Sequence, residues 1–196
     1  MRFHIVKRDA FPLWKRLAFY LGAVVIALLV IFIYIAIRFK KWTWGLGGTV
    51  GLAHTAIIVV GFFSLFSGIL PFSLDVDQTF IAAVLTIIGY AINDTVVIFD
   101  RIREYKTLHP KMPLEVNANQ ALNSTLSRTM NTSLTTLIVM VAIAIFGGEV
   151  IRGMAVALCL GIAVGTYASI FIATPIMYDV TMAVERKNAK KLAAKK

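Results

Sequence analysis

An all-α bundle of about five membrane-spanning helices is the fold this sequence predicts, and three observations carry it. Hydrophobic residues make up 59% of the 196 and charged residues only 15%. With a mean hydropathy of +0.80, the chain is too apolar for a soluble domain of this length. Apolar runs near the ~20 residues needed to cross hydrocarbon recur along it. None alternates as a strand does, and backbone groups in lipid must be satisfied internally, which selects helices over barrel strands.

The runs fall at about 18–37, 45–66, 79–99, 123–146 and 153–178. The first ends abruptly at Arg38, Lys40 and Lys41 with no small-residue cleavage pattern, so it reads as a span and not a signal peptide. In the second, Gly47, Gly51 and Thr55 recur every fourth residue. The third contains Asp94 and the fourth Arg128. The fifth repeats small residues at every fourth position, Gly153, Ala157, Gly161, Gly165, Ser169 and Ala173, a ridge that lets another helix approach closely. The chain thus divides into a basic N-terminal segment (1–17), the bundle (18–180) and a basic tail (181–196).

Charge orients the bundle. The net charge of +10 is confined to short segments between and beyond the apolar runs. That is the positive-inside signature of membrane topology and gives no surface for nucleic acid. Basic residues follow the first span, then the third (Arg101, Arg103, Lys106, Lys111), and fill the tail, whereas the other two loops carry Asp75 and Asp77, then Glu149 with Arg152. The first and third loops and the C-terminus are therefore expected to be cytoplasmic, with the tail drawn to anionic lipid.

Five spans then place the N-terminus outside, although it carries Arg2, Lys7, Arg8, Lys15 and Arg16. Either an upstream helix is missing or this segment rests on the membrane with Phe3, Ile5, Phe11, Leu13 and Trp14 dipping in; Pro12 interrupts the second arrangement, and the charge rule favours the first. Cys159 lies among apolar neighbours as a packing residue. His4, His54 and His109 lie in separate segments without metal-ligand spacing, and no nucleotide, cofactor or hydrolase motif is present. No metal, cofactor or enzymatic chemistry is expected.

Asp94 is the first candidate for function. A bare charge at membrane depth costs ~3 kcal/mol or more, so it should face a protein interior or a wet cavity. It lies six residues before Asp100 at the end of its run, ~9 Å inside the boundary at 1.5 Å per residue. Arg128 lies five residues into the next run, at a similar depth of ~8 Å. An acid and a base at matching depth on sequential antiparallel helices are natural partners.

Ser124, Thr125, Asn131, Thr132, Thr135 and Thr136 share a helix face with Arg128. Together with Tyr90 and Asn93 beside Asp94, Ser124, Asn131, Thr132 and Thr135 make up an expected polar path. Such hydroxyls also serve simply as interhelical glue. Likewise, a static Asp94–Arg128 pair would only fix helix packing, although buried pairs are costly and add little stability. If helix movement changes the distance between the two, Asp94 loads or releases a proton, because desolvation favours the neutral acid and a guanidinium the carboxylate. His54 in an apolar helix is ambiguous between a structural residue and a proton relay.

The segment TIIGYAINDTVVIFDRIRE, Thr86 to Glu104, closely resembles the signature of the SecF family, whose members partner SecD in the accessory complex of the bacterial preprotein translocase. Further resemblances are RFKKWTWGLGG at Arg38 to Gly48, LAH at Leu52 to His54, LSRTMNTSLTTL at Leu126 to Leu137, FGG at Phe146 to Gly148 and LGIAVGTYASIFIATP at Leu160 to Pro175. The resemblance implies the resistance-nodulation-division superfamily and export of unfolded proteins assisted by the proton motive force. It also implies a SecD-like subunit, the SecYEG channel, YidC and preprotein clients as partners, in the bacterial cytoplasmic membrane. The family's proton-linked acid falls on Asp94 and its intramembrane arginine on Arg128.

Two departures stand out. The family's first span and large periplasmic domain have no counterpart here, and the longest outward loop, about 67–78, is too short for a folded domain. Many relatives also read His-Asp where this chain has His54 and Thr55, so a proton carried by that acid must take another route here. A proton-coupled small-molecule exporter and a purely structural membrane subunit are the competing readings. The short outward loops leave the exporter no room for a substrate pocket.

Overall fold

The computed structural model describes residues 13–66, 69 and 78–194. The basic segment with Arg2, Lys7, Arg8, Phe3, Ile5, Phe11 and Pro12, the acidic loop with Asp75 and Asp77, and Lys195 and Lys196 lie outside the described residues. So do the side chains of Leu13, Trp14, Lys15 and Arg16.

The apolar runs form helices that outlast them at the polar ends. They are α1 (Leu13–Phe39), α2 (Trp42–Phe66), α3 (Gln78–Leu108), α4 (Leu114–Phe146) and α5 (Gly148–Ala168), followed by a π-helical turn over Ser169–Ala173 and then α6 (Thr174–Ala193). Four described segments are long and apolar enough to cross a membrane: Trp42–Phe66, Thr79–Leu108, Leu114–Phe146 and Ile151–Ala193. In α1, Val24–Phe39 is a shorter apolar stretch of a 27-residue helix. The chain is therefore a polytopic helical membrane protein.

Local chemistry sets the helix ends. Lys40, at φ 55°, closes α1 in the left-handed conformation typical of a residue just past a helix end, and its N–H donates to Ile37 O at 3.2 Å. Gly148, at φ 71°, turns the chain between α4 and α5 in a conformation that glycine adopts without steric cost. The turn into α4 is tied by fully buried Asn117, whose Nδ2 donates to the carbonyls of His109 and Met112 at 3.3 and 3.4 Å. In the last span, Thr174 Oγ1 donates to Ser169 O, five residues back, at 2.9 Å. Pro175 stands in the first turn of α6 with no N–H to give. The helix absorbs this through the π turn without breaking.

α2 is the hub, in contact with α1, α3, α5, the π turn and α6, while α4 lies against α3 and α5 on the far side. Missing side chains make these contacts close. A Cβ at Gly47 would stand 2.6 Å from Ala173 O, and one at Gly51 2.9 Å from Ala173 Cβ. Gly161 faces the side chain of Ile87, and a Cβ at Gly165 would stand 3.0 Å from Ala91 Cβ. Ala157, Gly161, Gly165, Ser169 and Ala173 are all buried, and Gly153 is half-buried.

Two apolar clusters fill the bundle. Ile35, Phe39, Trp44, Phe99, Ile102 and Met177 form one, and Leu52, Val59, Phe63, Phe80, Ile87 and Ala157 the other. Four ion pairs among the described residues sit beyond the first cluster: Arg38–Asp100 (2.9 Å), Arg101–Glu104 (2.7 Å), and Glu185 with both Lys41 and Lys106 (3.8 Å each). Glu185 thus clasps the α1–α2 turn and the end of α3 to α6.

Candidate functional site

Between the two apolar clusters, buried polar side chains from three helices meet. α3 contributes Asp94 and Thr95, α4 contributes Thr129 and Ser133, and α5 with the π turn contributes Thr166 and Ser169. Asp94 is 4% exposed. Its Oδ2 accepts long hydrogen bonds from Thr166 Oγ1 at 3.4 Å and Ser133 Oγ at 3.5 Å. The two hydroxyls bond each other at 2.6 Å, and Tyr90 Oη donates to Ser133 Oγ at 3.4 Å. Next to Asp94 on α3, Thr95 shares a hydroxyl pair with Ser169 at 2.8 Å.

The expected contact between Asp94 and Arg128 is not made. Arg128 is exposed on α4 and enters none of the ion pairs among the described residues. Its field reaches Asp94 without contact. The cause is helix phase. α4 buries Asn117, Ala121, Thr125, Thr129 and Ser133, every fourth residue, and this stripe faces α3 and α5. Arg128 is one residue off it.

The polar face expected around Arg128 splits accordingly. Thr125 is buried and Thr136 half-buried, whereas Ser124, Asn131, Thr132 and Thr135 are exposed. The hydroxyls of Thr132, Thr135 and Thr136 donate to carbonyls of their own helix. Ser124 accepts from Arg101 Nε at 3.0 Å. None of these residues bonds to Asp94. On α3, Tyr90 is half-buried and joined to the site through Ser133, while Asn93 is exposed.

Sequence reasoning missed the two residues that bond Asp94, Ser133 and Thr166, as well as their buried neighbours Thr95 and Thr129. A signal existed for Ser133, since Thr125, Thr129 and Ser133 form a second polar row on α4 at four-residue spacing. Thr166 carried none beyond its place next to Gly165 on the small-residue ridge.

His54 belongs elsewhere. Its ring lies 6.5 Å from that of Tyr167 and lines an open groove of about 400 Å³ with Ile58, Ala163 and Val164. Neighbouring Thr55 is fully buried and donates to Gly51 O at 3.0 Å, which ties its hydroxyl to its own helix. Among the described residues no group of His, Cys, Asp and Glu is arranged to hold a metal ion.

Comparison with known proteins adds to this geometry. Residues 17–183 match the model of the family described as "Protein export membrane protein SecD/SecF, C-terminal". The chain is 56% identical over 154 residues to a protein of Rhodothermus marinus named protein translocase subunit SecF, covering 79% of this chain and 50% of that one. With the protein of the same name from Petrotoga mobilis it shares 41% identity over 169 residues, 86% of this chain and 53% of that one. The chain thus spans about half the length of these relatives. A solved structure described as SecDF in the super-membrane-facing form superposes with a TM-score of 0.77 at 40% identity, covering 86% of this chain and 22% of that one. A helical membrane bundle of this sequence and shape belongs to the SecD/SecF protein-export family, whose C-terminal region it matches.

Proposed function

We propose that this chain acts as an auxiliary subunit of a Sec-type preprotein translocase in a bacterial cytoplasmic membrane, with its C-terminus cytoplasmic. Protonation and release of Asp94 would couple the proton motive force to helix movement during export. The observation that carries this reading is a buried carboxylate in the middle of a membrane bundle, held by two neutral hydroxyls and, among the described residues, paired with no cation. A static ion pair would keep such a group charged. A carboxylate held by hydroxyls can take up a proton and keep its partners, since a hydroxyl both donates and accepts. Such an acid changes charge by one within a low-dielectric interior, which is large enough to bias packed helices between two arrangements.

Family membership supports export as the process, and the relative described as SecDF supports a SecD-like subunit as partner. Further partners consistent with this reading are a SecYEG channel, YidC and unfolded preproteins. The reading involves no covalent chemistry.

The test replaces Asp94 in the protein as cells make it and follows export of a periplasmic reporter with and without a proton gradient. Asp94→Asn keeps shape but cannot ionise, so it should assemble and lose the gradient-dependent part of export. Asp94→Glu should retain a share of it. Gradient-dependent export at the wild-type rate in Asp94→Asn sinks the reading.

A further inference from the structure

Most hydroxyls in this bundle are spoken for by their own helix. Thr55, Thr95, Thr125, Thr132 and Thr135 each donate to the carbonyl one turn back, the usual way a membrane helix satisfies a hydroxyl. Ser133 and Thr166 differ. Their bonds run to each other at 2.6 Å, where either atom can be the donor, and to Asp94 Oδ2 at 3.5 and 3.4 Å. Tyr90, one turn before Asp94 on α3, donates to Ser133 at 3.4 Å. Tyr90 is half-buried, whereas Ser133, Thr166 and Asp94 are all buried. A continuous line of exchangeable O–H groups therefore leads from a partly open position to a closed one, ending on the carboxylate.

We propose that Tyr90, Ser133 and Thr166 form a hydroxyl relay that delivers protons to Asp94 from the α3–α4 face of the bundle. This rests on the proton-linked reading of Asp94 and adds the route. A hydronium ion gives a proton to Tyr90 Oη and becomes water, the Tyr90 proton moves to Ser133 Oγ, and the Ser133 proton passes to Asp94 Oδ2 either directly or by exchange through Thr166 Oγ1. Each hydroxyl ends with one proton, the carboxylate becomes the acid, and the three O–H groups then rotate back. These three are positioning and relay residues and do not themselves change charge.

The electrostatic surroundings are simple. Arg128 of α4 acts on Asp94 through its field. α5 and the π turn offer the neutral hydroxyls of Thr166 and Ser169. On α2, Thr55 is neutral and His54 packs against Tyr167.

The chain in lipid nanodiscs allows a direct test by time-resolved infrared spectroscopy after a pH jump, with the acid carbonyl band of Asp94 assigned by its loss in Asp94→Asn. Tyr90→Phe and Ser133→Ala should slow protonation about ten-fold or more, and should lower the solvent isotope effect on the rate, because Ser133 is the hydroxyl through which Tyr90 reaches Asp94. Ser133→Thr restores the hydroxyl and should restore both. A residue with only a packing role would shift the final extent of protonation and leave the isotope effect alone. Unchanged rates and isotope effects in Tyr90→Phe and Ser133→Ala, with a titrating Asp94, overturn the relay and leave the proton-linked reading standing. An Asp94 that does not protonate at any accessible pH in the wild type overturns both.

Discussion

Lys41 shows how little an ion pair at a membrane edge contributes to stability. Its ammonium lies 3.8 Å from Glu185, yet its pKa falls below the ordinary value of 10.5, first through burial and then through repulsion by Lys106. The attraction of Glu185 is outweighed. A lysine whose folded pKa is lowered opposes folding while it is protonated. That cost is complete below the folded pKa and disappears as pH rises past 10.5. Lys41→Gln should therefore match or slightly exceed the wild type in thermal stability at neutral pH, by about 0.5 kcal/mol or less because the group is 43% exposed. The difference should close in alkaline buffer. A loss of about 1 kcal/mol or more at neutral pH contradicts the argument. Asp94 was legible in the sequence for the same physical reason that makes Lys41 unremarkable there: a charge stands out only where its surroundings are apolar. Of the hydroxyls holding Asp94, Ser133 showed only as one member of a polar row on α4 and Thr166 not at all, because Ser and Thr are common and neutral in membrane helices. Which side of α4 faces inward turns on the single step from Thr132 to Ser133, about 100° of rotation.

The helices themselves were readable from apolar run length, and the differences lie at their polar ends. The run at 123–146 gives no sign that α4 begins at Leu114, because nine further residues precede the apolar run, where periodicity and the Asn117 tie count for more than hydropathy. The π turn was equally hidden, since it follows from how Pro175 meets a helix that continues. Glycines on the ridge and off it differ sharply in what they tolerate. Gly161 faces Ile87, a side chain 1% exposed, so a larger residue there has no free volume to enter. Gly165 meets the backbone-proximal Cβ of Ala91, which cannot rotate away. Gly161→Leu and Gly165→Leu should each destabilise the detergent-solubilised protein by ~1 to 3 kcal/mol through overpacking. Gly61 and Gly89 have nothing within 4 Å of a Cβ, so alanine there should leave the melting temperature nearly unchanged. Equal thermal stability of all four variants would show that α5 does not pack tightly on α3.

At the scale of the whole molecule, the unbalanced element is α4. Only 11% of its apolar window is buried, against 33%, 44% and 50% in the other three spans. Beyond Ser133 it has no buried residue. Its uncovered face carries the Arg128 guanidinium and the Asn131 amide amid exposed Met130, Leu134 and Ile138. Lipid tails satisfy the apolar side chains but neither the cation nor the amide, and a charge at that depth costs ~3 kcal/mol or more. The partner that covers this face should therefore be another membrane helix bearing acceptors, at best a carboxylate opposite Arg128, and the SecD-like subunit of the proposed function is the candidate. Arg128→Leu removes the cation, keeps the bulk and improves the fit to lipid, so the chain should insert at least as well as the wild type. Its hold on the partner should weaken by ~2 kcal/mol or more, because a carboxylate left opposite it becomes buried without a counter-charge. That is roughly thirty-fold in apparent affinity. Val139→Leu, on a stretch of α4 that apolar lipid already satisfies, should change little. Pull-down of the SecD-like subunit from mild detergent measures both, and equal recovery with Arg128→Leu and wild type would place the partner on some other face of the bundle.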